Sequence, residues 1–359
     1  MSAPQNKNKR FASVDALRGL SVAAMLLVNN PGDWGHVYAP LEHAAWNGCT
    51  PTDLIFPFFL FIVGVSIALA FGGRIDAQAP QAPMAKTVLV RSLRIIALGL
   101  ALHALAWWLM SKPEFRIPGV LQRIGICFAF TGLVAIYLKQ RLQFVLLAVL
   151  LAGYAALLTW GGSLDKVGNI ASRWDAALFG RFAYEWAAST GIGHDPEGLV
   201  STLGALATSV LGLQAGHFLR RGQLQNLLML GLLSAGAGLL WAEFLPLNKQ
   251  LWTSSFVLWT GGLGALTLAL AHQLIDKSGL PAIGRSFGVN AIAAYAGAWM
   301  CTVVLEGFGL MAPLYAGGFA WLLPLVGPFG RSLAFALAFV AVWVLIVDQL
   351  DRRRIYFKV

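Results

Sequence analysis

Long apolar segments alternate with short polar segments along most of the chain. A helix that crosses the roughly 30 Å hydrocarbon core of a bilayer needs about 20 predominantly apolar residues. Segments of this kind lie at approximately 12–30, 52–72, 87–110, 117–138, 142–160, 198–219, 224–242, 251–275, 286–306 and 330–350. The pattern predicts an all-α polytopic membrane protein with about ten transmembrane helices, organised as a single domain over residues 1–359.

The composition strengthens this prediction and excludes a soluble domain. Hydrophobic residues make up 58% of the chain and charged residues only 12%, with a mean hydropathy of +0.69, whereas about a quarter of the residues in soluble domains are charged. The net charge is +10, yet Lys and Arg are scattered through short loops and form no tract of the kind that binds nucleic acid. We therefore expect the lipid bilayer as a partner, and no nucleic acid.

The basic residues also predict the orientation. If the N-terminus is cytoplasmic, the flanks on that side of the membrane carry most of the Lys and Arg, as the positive-inside rule requires. An even number of helices with both termini cytoplasmic fits this distribution, and it places two long polar loops, 31–51 and 161–197, outside. No cleavage pattern follows the first apolar segment, which we expect to be retained as a helix.

Segment 307–329, GFGLMAPLYAGGFAWLLPLVGPF, is interrupted by Gly and Pro and is predicted to be interfacial or re-entrant. If it crossed the membrane, the C-terminus would lie outside. The three arginines at 352–354 argue against that topology.

Polar side chains are concentrated between the first two apolar segments, in NNPGDWGHVYAPLEHAAWNGCTPTD (29–53). His43 lies in this loop, close to Trp46 and Asn47. An imidazole titrates near neutrality and can act as a base, an acid or a nucleophile, which makes His43 a candidate catalytic residue. The alternative is a solvated loop histidine that bonds to a backbone carbonyl.

Asp53 also allows two interpretations. The run Thr50-Pro51-Thr52-Asp53 has the pattern of a capping box, in which the acid satisfies free amides at the start of a helix. The same helix end has a positive dipole that favours an anion or a developing negative charge in the loop.

Three arginines, Arg18, Arg91 and Arg94, lie towards the predicted cytoplasmic side. Arg18 follows Asp15 by three residues, a spacing that allows an ion pair on one helix face; otherwise its guanidinium would face a ligand that comes from the cytoplasm. Arg91 and Arg94 repeat that spacing nearby. Arginine clusters are a common means of holding phosphates, although topology signals alone would also account for these two.

Arg116 and Arg123 flank the sequence IPGVLQ, and Arg123 falls inside an apolar segment. A guanidinium at that depth is costly unless it is paired or faces a wet cavity. We therefore expect Arg123 to face the helix bundle, with Glu197 or another carboxylate as its partner. Helix capping is the simpler interpretation of Glu197, which precedes the sixth apolar segment.

The remaining motifs add no further chemistry. The chain has no GxSxG elbow, no P-loop and no metal-ligand spacing. Its cysteines, Cys49, Cys127 and Cys301, are isolated, so they indicate neither a disulfide framework nor a metal site. We therefore expect no metal cofactor.

Several segments together resemble the heparan-α-glucosaminide N-acetyltransferase family and its bacterial relatives of the amino-sugar utilisation type. They occur in the expected order from residue 13 to about 270, and the last quarter of the chain is only loosely similar. The segments are SVDALRGL, LVNNPG, HAAWNGCTPTDLIFPFFLFIVGVSIAL, RIPGVLQRIGI, DPEGLVSTLGALATSVLGLQAG and LPLNKQLWTSSFVL.

This resemblance implies an integral protein of the bacterial inner membrane that takes acetyl-CoA on the cytoplasmic side and acetylates an amino-sugar on the other side. It implies that His43 is the essential histidine, with Asn29, the adjacent Asn30 and Asp53 as its companions. The loop NNPGDWGHVYAPLEH is slightly longer than in mammalian members, which leaves the acceptor open.

The resulting hypothesis places acetyl-CoA in a tunnel between helices, with its thioester near His43 and an oxyanion donor in Asn29 or Asn30. Its phosphates are expected near Arg18, Arg91 and Arg94. Contacts to the acceptor are expected from Trp46, Asn47, Arg116, Arg123 and Glu197. An amino-sugar transporter and an O-acyltransferase of an envelope glycan remain alternatives, and the sequence leaves a homodimer open.

Overall fold

The computed structural model describes residues 10–357 and consists almost entirely of α-helices. The helices are α1 Ala12–Asn29, α2 Ile55–Asp76, α3 Gln81–Leu109, α4 Val120–Tyr137, α5 Gln140–Trp160, α6 Ile170–Phe179, α7 Thr202–Arg220, α8 Leu224–Ala242, α9 Ser254–Ala271, α10 Arg285–Val289, α11 Ala291–Gly307, α12 Met311–Gly318 and α13 Leu323–Arg352. Each predicted apolar segment overlaps one of these helices or, at 286–306, two of them. The all-α prediction is therefore confirmed. The predicted cytoplasmic ends include residues 1–9 and 358–359, which lie outside the described residues.

Among residues 10–357, eight helical stretches are long and apolar enough to cross a membrane: Ala12–Asn29, Pro51–Asp76, Gln81–Leu109, Val120–Tyr137, Gln140–Trp160, Leu224–Ala242, Ser254–Lys277 and Ala320–Arg352. Helices α11 and α12 meet at 90° and make a ninth span if they are taken together. Helix α7, which the sequence predicts as a further span, is not in this set. The polytopic character agrees with the prediction, and the number of spans is slightly smaller.

Helix α7 differs from the others because protein surrounds it on nearly every side. Its polar side chains are satisfied by neighbouring helices. The Ser209 hydroxyl bonds to Thr131 at 2.7 Å, and Gln143 accepts hydrogen bonds from Gln214 at 2.9 Å and from the His217 ring at 3.2 Å. A helix enclosed in this way need not be apolar throughout, since its polar groups are hydrogen-bonded to protein rather than exposed to lipid.

Small residues bring α2 and α7 close together. A Cβ added to Gly64 of α2 would lie 1.9 Å from the Ser209 carbonyl oxygen, and one added to Gly212 of α7 would lie 2.0 Å from the Phe61 carbonyl oxygen. Both positions therefore require glycine, as is common where membrane helices pack backbone against backbone. This contact holds α7 in the centre of the bundle, where its N-terminal end meets the candidate site.

The loop predicted between 161 and 197 contains regular structure. It carries α6 and a small antiparallel hairpin of β1 Glu185–Ala187 and β2 Ile192–His194, in which Glu185 pairs with His194. The sequence predicted only a long polar connection here, because strands of three residues are too short to show an alternating pattern.

The segment 307–329 is broken, as its glycines and prolines predict. Helix α12 turns away from α11, a short 3-10 turn at Ala320–Leu322 follows, and α13 is interrupted at Gly327, whose φ of 67° lies in the left-handed region. The interfacial or re-entrant placement of this segment stays a prediction.

Candidate active site

One end of the helix bundle holds a cavity of about 600 Å³, which is in the range of small-molecule sites. Its walls come from the C-terminal ends of α1, α3 and α11, the N-terminal ends of α2 and α4, and the loops that precede α7 and α9. The polar, ionisable and aromatic side chains on these walls are Asn29, Asn30, Trp34, His43, Trp46, Asp53, Lys112, Arg116, Lys166, Tyr184, Glu185, Glu197, Lys249, Gln250, Tyr295, Trp299, Thr302 and Glu306.

His43 and Asp53 form a hydrogen-bonded pair at the wall of this cavity. The distance from His43 Nδ1 to Asp53 Oδ1 is 2.7 Å, with the imidazole 47% exposed and the carboxylate 1% exposed. Because a carboxylate accepts hydrogen bonds, this contact places a proton on Nδ1 and leaves the lone pair on Nε2. His43 therefore has the tautomer of a base or nucleophile.

The two oxygens of Asp53 have different partners. Oδ2 accepts from the backbone amides of Thr50 and Ala44, each at 3.0 Å, and from the Thr50 hydroxyl at 3.1 Å, which is the capping box predicted from the sequence. Oδ1 is left for His43. The 3-10 turn Pro51–Leu54 that begins the second span thus holds the carboxylate rigidly behind the imidazole.

Lys249 is the third member of this cluster. Its Nζ lies 3.0 Å from His43 Nε2, 3.1 Å from His43 Nδ1 and 3.9 Å from Asp53 Oδ1. Burial lowers the pKa of the Lys249 ammonium, and the negative charge of Asp53 only partly opposes that effect. The sequence analysis does not single out Lys249; the only signal is its place in the family-like segment LPLNKQLWTSSFVL.

The position of the ammonium leaves the reactive edge of the imidazole accessible. The lone pair of a ring nitrogen points outward in the ring plane, so an atom bonded along the Nε2 lone pair would be much farther from Nδ1 than from Nε2. Nζ is nearly equidistant from the two nitrogens. It therefore lies over the ring and does not occupy the Nε2 lone pair.

Asn47 positions the lysine without lining the cavity. Its side-chain oxygen accepts from Asn248 Nδ2 at 3.1 Å, and the next residue, Gly48, donates its backbone amide to the Leu247 carbonyl at 2.7 Å. These two bonds connect the His43 loop to the turn that carries Lys249. Asn47 is predicted to contact substrate, but its contacts in the structure are with this turn.

The two neighbouring asparagines at the end of α1 are in different environments. Asn30 is buried; its amide donates to the Leu26 carbonyl at 2.8 Å, and its oxygen accepts from the Thr302 hydroxyl at 2.6 Å. Asn29 is exposed on the cavity wall. Within residues 10–357 its side-chain amide has no hydrogen-bond partner, so it is free to bind a ligand.

Trp46 lines the cavity and ties it to the long loop. Its indole nitrogen donates to the Leu164 carbonyl at 2.9 Å, and its ring meets the edge of His194 at a centroid distance of 5.5 Å. His194 is itself bonded to Ser172 and Gln250. The loops predicted at 31–51 and 161–197 therefore meet at this site.

Arg116 has the carboxylate partner that the sequence analysis expects for Arg123. Its guanidinium bonds to both oxygens of Asp195, at 3.0 and 2.6 Å, and to Glu197 at 2.5 Å, and it lies 4.5 Å from the centre of the Tyr184 ring. Burial lowers the pKa of Arg116, but the charges of Glu197 and Asp195 outweigh it and raise that pKa above its usual value. The guanidinium is therefore a permanent cation at the cavity wall. Asp195 is a residue that the sequence analysis misses.

Arg123 faces the bundle, as predicted. The predicted hydrogen bond to Glu197 or another carboxylate is wrong, because its partners are a carbonyl and a hydroxyl. It is 1% exposed, and its Nη2 donates to the Gly198 carbonyl at 3.0 Å and to the Ser201 hydroxyl at 2.5 Å. Its charge lies 5.2 Å from the centre of the Trp252 ring. Among the described residues Glu197 makes no hydrogen bond to Arg123, and its Oε2 bonds to Arg116 instead. Arg123 therefore supports the cavity from behind.

The arginines expected near phosphates do not reach this cavity. Arg18 forms the expected ion pair with Asp15 at 3.2 Å and also donates to the Gly288 carbonyl and to Ser66. Arg91 lies 5.0 Å from the centre of the Phe128 ring, and Arg94 is exposed. Within the described part of the chain, no group of three or more His, Cys, Asp or Glu residues could hold a metal ion.

Comparison with known proteins shows which family the chain resembles. A family model described as heparan-alpha-glucosaminide N-acetyltransferase, catalytic, matches residues 10–164. Human heparan-alpha-glucosaminide N-acetyltransferase is 26% identical over 413 aligned positions, which cover 98% of this chain and 60% of the human protein. The chain is similar to this family. The mouse heparan-alpha-glucosaminide N-acetyltransferase is 27% identical over the same share of both proteins.

The chain spans about 60% of the length of these heparan-alpha-glucosaminide N-acetyltransferases. The stretch matched by the family model contains Asn29, His43, Asp53 and Arg116, and it ends before Glu197 and Lys249. The residues that complete the cavity thus come from the second half of the chain.

Proposed function

We propose that this protein is an acetyltransferase of the cytoplasmic membrane of a bacterium, which transfers the acetyl group of acetyl-CoA to the amino group of a glucosamine-type sugar. The observation that carries the proposal is the His43 imidazole, held by Asp53 at the wall of a cavity with its Nε2 edge accessible. The names of the human and mouse relatives supply the class of reaction.

His43 Nε2 can promote the transfer in two ways. As a general base, it takes a proton from the acceptor amine while the amine nitrogen attacks the thioester carbonyl; the carbon–sulfur bond then breaks, and the coenzyme A thiolate leaves and is protonated by the imidazolium. As a nucleophile, Nε2 attacks the carbonyl itself, the carbon–sulfur bond breaks, and coenzyme A leaves as a thiolate. In a second step the amine nitrogen attacks the acetyl carbon, the bond from that carbon to Nε2 breaks, and the proton lost by the amine goes to water, which balances protonation of the thiolate. In both routes Asp53 is a positioning residue that keeps the proton on Nδ1.

The thioester oxygen becomes negative as the carbonyl is attacked. We assign the unpartnered amide of Asn29 as its hydrogen-bond donor, with the Lys249 ammonium as a nearby positive charge. One such donor is typically worth a factor of about 10²–10³ in kcat. Asn30 has the same side chain but is already bonded on both sides, so it supports the end of α1 instead.

The donor is proposed to reach this cavity from the opposite end of the bundle, which we take as cytoplasmic. Arg18 lies 11 residues before Asn29 on the same helix, or roughly 16 Å along its axis. A coenzyme A molecule with its phosphates near Arg18, Arg91 and Arg94 would extend its pantetheine arm along α1 towards His43. Of these three arginines, the exposed Arg94 has the fewest contacts within the described part of the protein, so it is the most available to bind a phosphate.

The acceptor is proposed to occupy the cavity itself. Arg116, Glu197 and Trp46 line it and are placed to contact a sugar, whereas Asn47 and Arg123 lie behind the wall. We therefore narrow the expected acceptor contacts to the first three residues, and we propose a structural role for the other two.

The direct test is acetyl transfer by the purified protein, with His43→Ala compared with His36→Ala. His36 lies in the same loop but pairs with Asp33 at 2.7 Å and does not line the cavity. With acetyl-CoA and glucosamine, we expect the His43 variant to lose transfer and the His36 variant to retain it. Equal activity of the wild type and the His43 variant would contradict the proposed role.

Two further measurements separate the alternatives. Radiolabelled acetyl that remains on the wild-type protein without acceptor, and not on the His43 variant, would indicate the covalent route. Accumulation of labelled glucosamine in proteoliposomes without acetyl-CoA would instead indicate a transporter. Transfer to glycan hydroxyls, and not to the amine of glucosamine, would indicate an O-acyltransferase.

A further inference from the structure

One face of α11 forms a wall of the cavity. The lining residues Tyr295, Trp299, Thr302 and Glu306 recur at intervals of three or four, which places them along one side of the helix. Glu306 lies in the last turn, since α11 ends at Gly307.

Glu306 differs from the other carboxylates on the cavity wall because it has no cation beside it. Asp53 is bonded to His43, Glu197 to Arg116, and Glu185 to Lys166 at 2.8 Å. Among residues 10–357, no Lys, Arg or His nitrogen lies within 4.0 Å of the Glu306 carboxylate, and no hydrogen bond is made to it. Glu306 is also exposed.

The position of Glu306 in the last turn of α11 is electrostatically unfavourable for a carboxylate, so its presence there is not explained by stability of the helix. The C-terminal end of a helix carries a partial negative charge, so a carboxylate in the last turn is repelled there. The helix end and the carboxylate together produce a negative potential at the cavity wall. A cation supplied by a ligand would remove this repulsion.

Glu306 lines the same cavity as Asn29 and His43. Thr302 bonds to Asn30 at 2.6 Å, which fixes α11 beside the end of α1. Glu306 lies one turn beyond Thr302, roughly 6 Å along the helix. Because Asn29 and Glu306 line one cavity, we expect a sugar bound there to contact both side chains.

We propose that Glu306 forms an acceptor subsite that pairs with the protonated amino group of the sugar as it binds. Before transfer the ammonium loses one proton to water and becomes the nucleophilic amine, and the transfer step removes a second proton and leaves a neutral amide. The ion pair is therefore present when the substrate binds and absent with the product. The subsite therefore selects amino-sugars over their N-acetylated forms and favours release of the product. This inference rests on the proposed function for the class of its ligand.

Binding measurements on Glu306→Gln test the subsite directly. Titration calorimetry of the detergent-solubilised protein would compare glucosamine with N-acetylglucosamine at pH 6.5, without acetyl-CoA. We expect the variant to bind glucosamine about fivefold more weakly, the size expected of a partly exposed ion pair, and to bind N-acetylglucosamine as the wild type does. The control is Glu114→Gln, because Glu114 lies between α3 and α4, near Arg181, and does not line the cavity.

Kinetics give a second readout. Glu306→Gln should raise the KM for glucosamine by a similar factor and leave the KM for acetyl-CoA and kcat unchanged, and Glu306→Asp should restore part of the loss. Equal glucosamine binding by the wild type and Glu306→Gln, or equal losses for both sugars, would overturn the subsite. Absence of acetyl transfer by the wild type would contradict the proposed function alone, because the calorimetric comparison does not depend on turnover.

Discussion

The Lys249 ammonium lies 3.0 Å from His43 Nε2 and 3.1 Å from His43 Nδ1, over the imidazole ring and next to the Asp53 carboxylate. These three groups come from the loop before the second span, from the turn that begins that span and from the turn before α9. Asp53 defines which nitrogen of His43 carries the proton. Lys249 places a positive charge where the proposed reaction develops a negative one.

Asp53→Asn should lower kcat strongly, on the order of 10³-fold, because an amide cannot hold the Nδ1 proton of His43 as a carboxylate does. Thr50→Ala removes the hydroxyl hydrogen bond to Oδ2 of the same carboxylate but not the bond from that carboxylate to His43. It should cost about 1 kcal/mol of stability and change kcat little. Turnover and the thermal unfolding midpoint of the two variants check this. Similar kcat values for both would mean that Asp53 only caps the helix.

Lys249→Met should lower kcat by roughly 10²-fold and should not lower the unfolding midpoint at pH 7. Burial lowers the pKa of Lys249 in the folded protein, so the unfolded chain binds this proton more tightly. The charged lysine therefore costs stability at neutral pH, and the cost disappears as the pH rises from the lowered pKa to the usual lysine value.

Lys112→Met is the matched control for the lysine, since Lys112 lines the cavity without contacting His43. Turnover at pH 7, together with unfolding midpoints at pH 7 and pH 10, would test both parts of the prediction. A Lys249→Met protein with a lower midpoint at pH 7 and normal turnover would show that the ammonium stabilises the fold and does not assist transfer.

Asn29→Ala and Asn30→Ala should have opposite effects. Loss of the unpartnered amide of Asn29 should reduce kcat by about 10²–10³-fold and leave stability unchanged. Loss of Asn30 removes its hydrogen bonds to the Thr302 hydroxyl and to the Leu26 carbonyl, which should cost about 1–3 kcal/mol. The check is kcat per folded protein alongside thermal unfolding. If only Asn30→Ala lost turnover, Asn30 would be the oxyanion donor and Asn29 would have the structural role.

Asp175 should make stability depend on pH in the acidic range. Burial raises the pKa of this carboxyl to about 6, although the amides of Leu199 and Val200 oppose the shift. The folded protein therefore binds this proton more tightly than the unfolded chain does. The resulting stabilisation is fully present below the usual pKa of about 4 and is lost as the pH rises through about 6.

Asp175→Asn should remove this part of the pH dependence. Unfolding midpoints between pH 4 and pH 7.5 would show a flatter profile than that of the wild type, with no loss at pH 7. Asp165→Asn, a change in an exposed residue of the same loop, should keep the wild-type profile. An unchanged profile in Asp175→Asn would mean that other groups produce the dependence.

The pair of His43 and Asp53 is within reach of sequence analysis because both residues belong to one segment of 25 residues between two spans. The capping pattern indicates where the carboxylate lies, and the family-like segment indicates the histidine. Lys249 follows His43 by 206 positions, and no local pattern connects the two. The partners of Arg116 and Arg123 are uncertain in sequence for the same reason, since Asp195 and Glu197 are equally suitable acids in one loop.

The amino-acid sequence by itself determined the helices and the existence of a polar site at one end of them. It could do so because segments that cross lipid must be long apolar helices, and because the polar and ionisable side chains are concentrated in the loop 29–53 between two such segments. Only the tertiary structure decided which charges meet. The loops at that end are brought together by helix packing, and the 2.7 Å contact between His43 and Asp53, the ammonium over the ring and the unpaired Glu306 all depend on that packing.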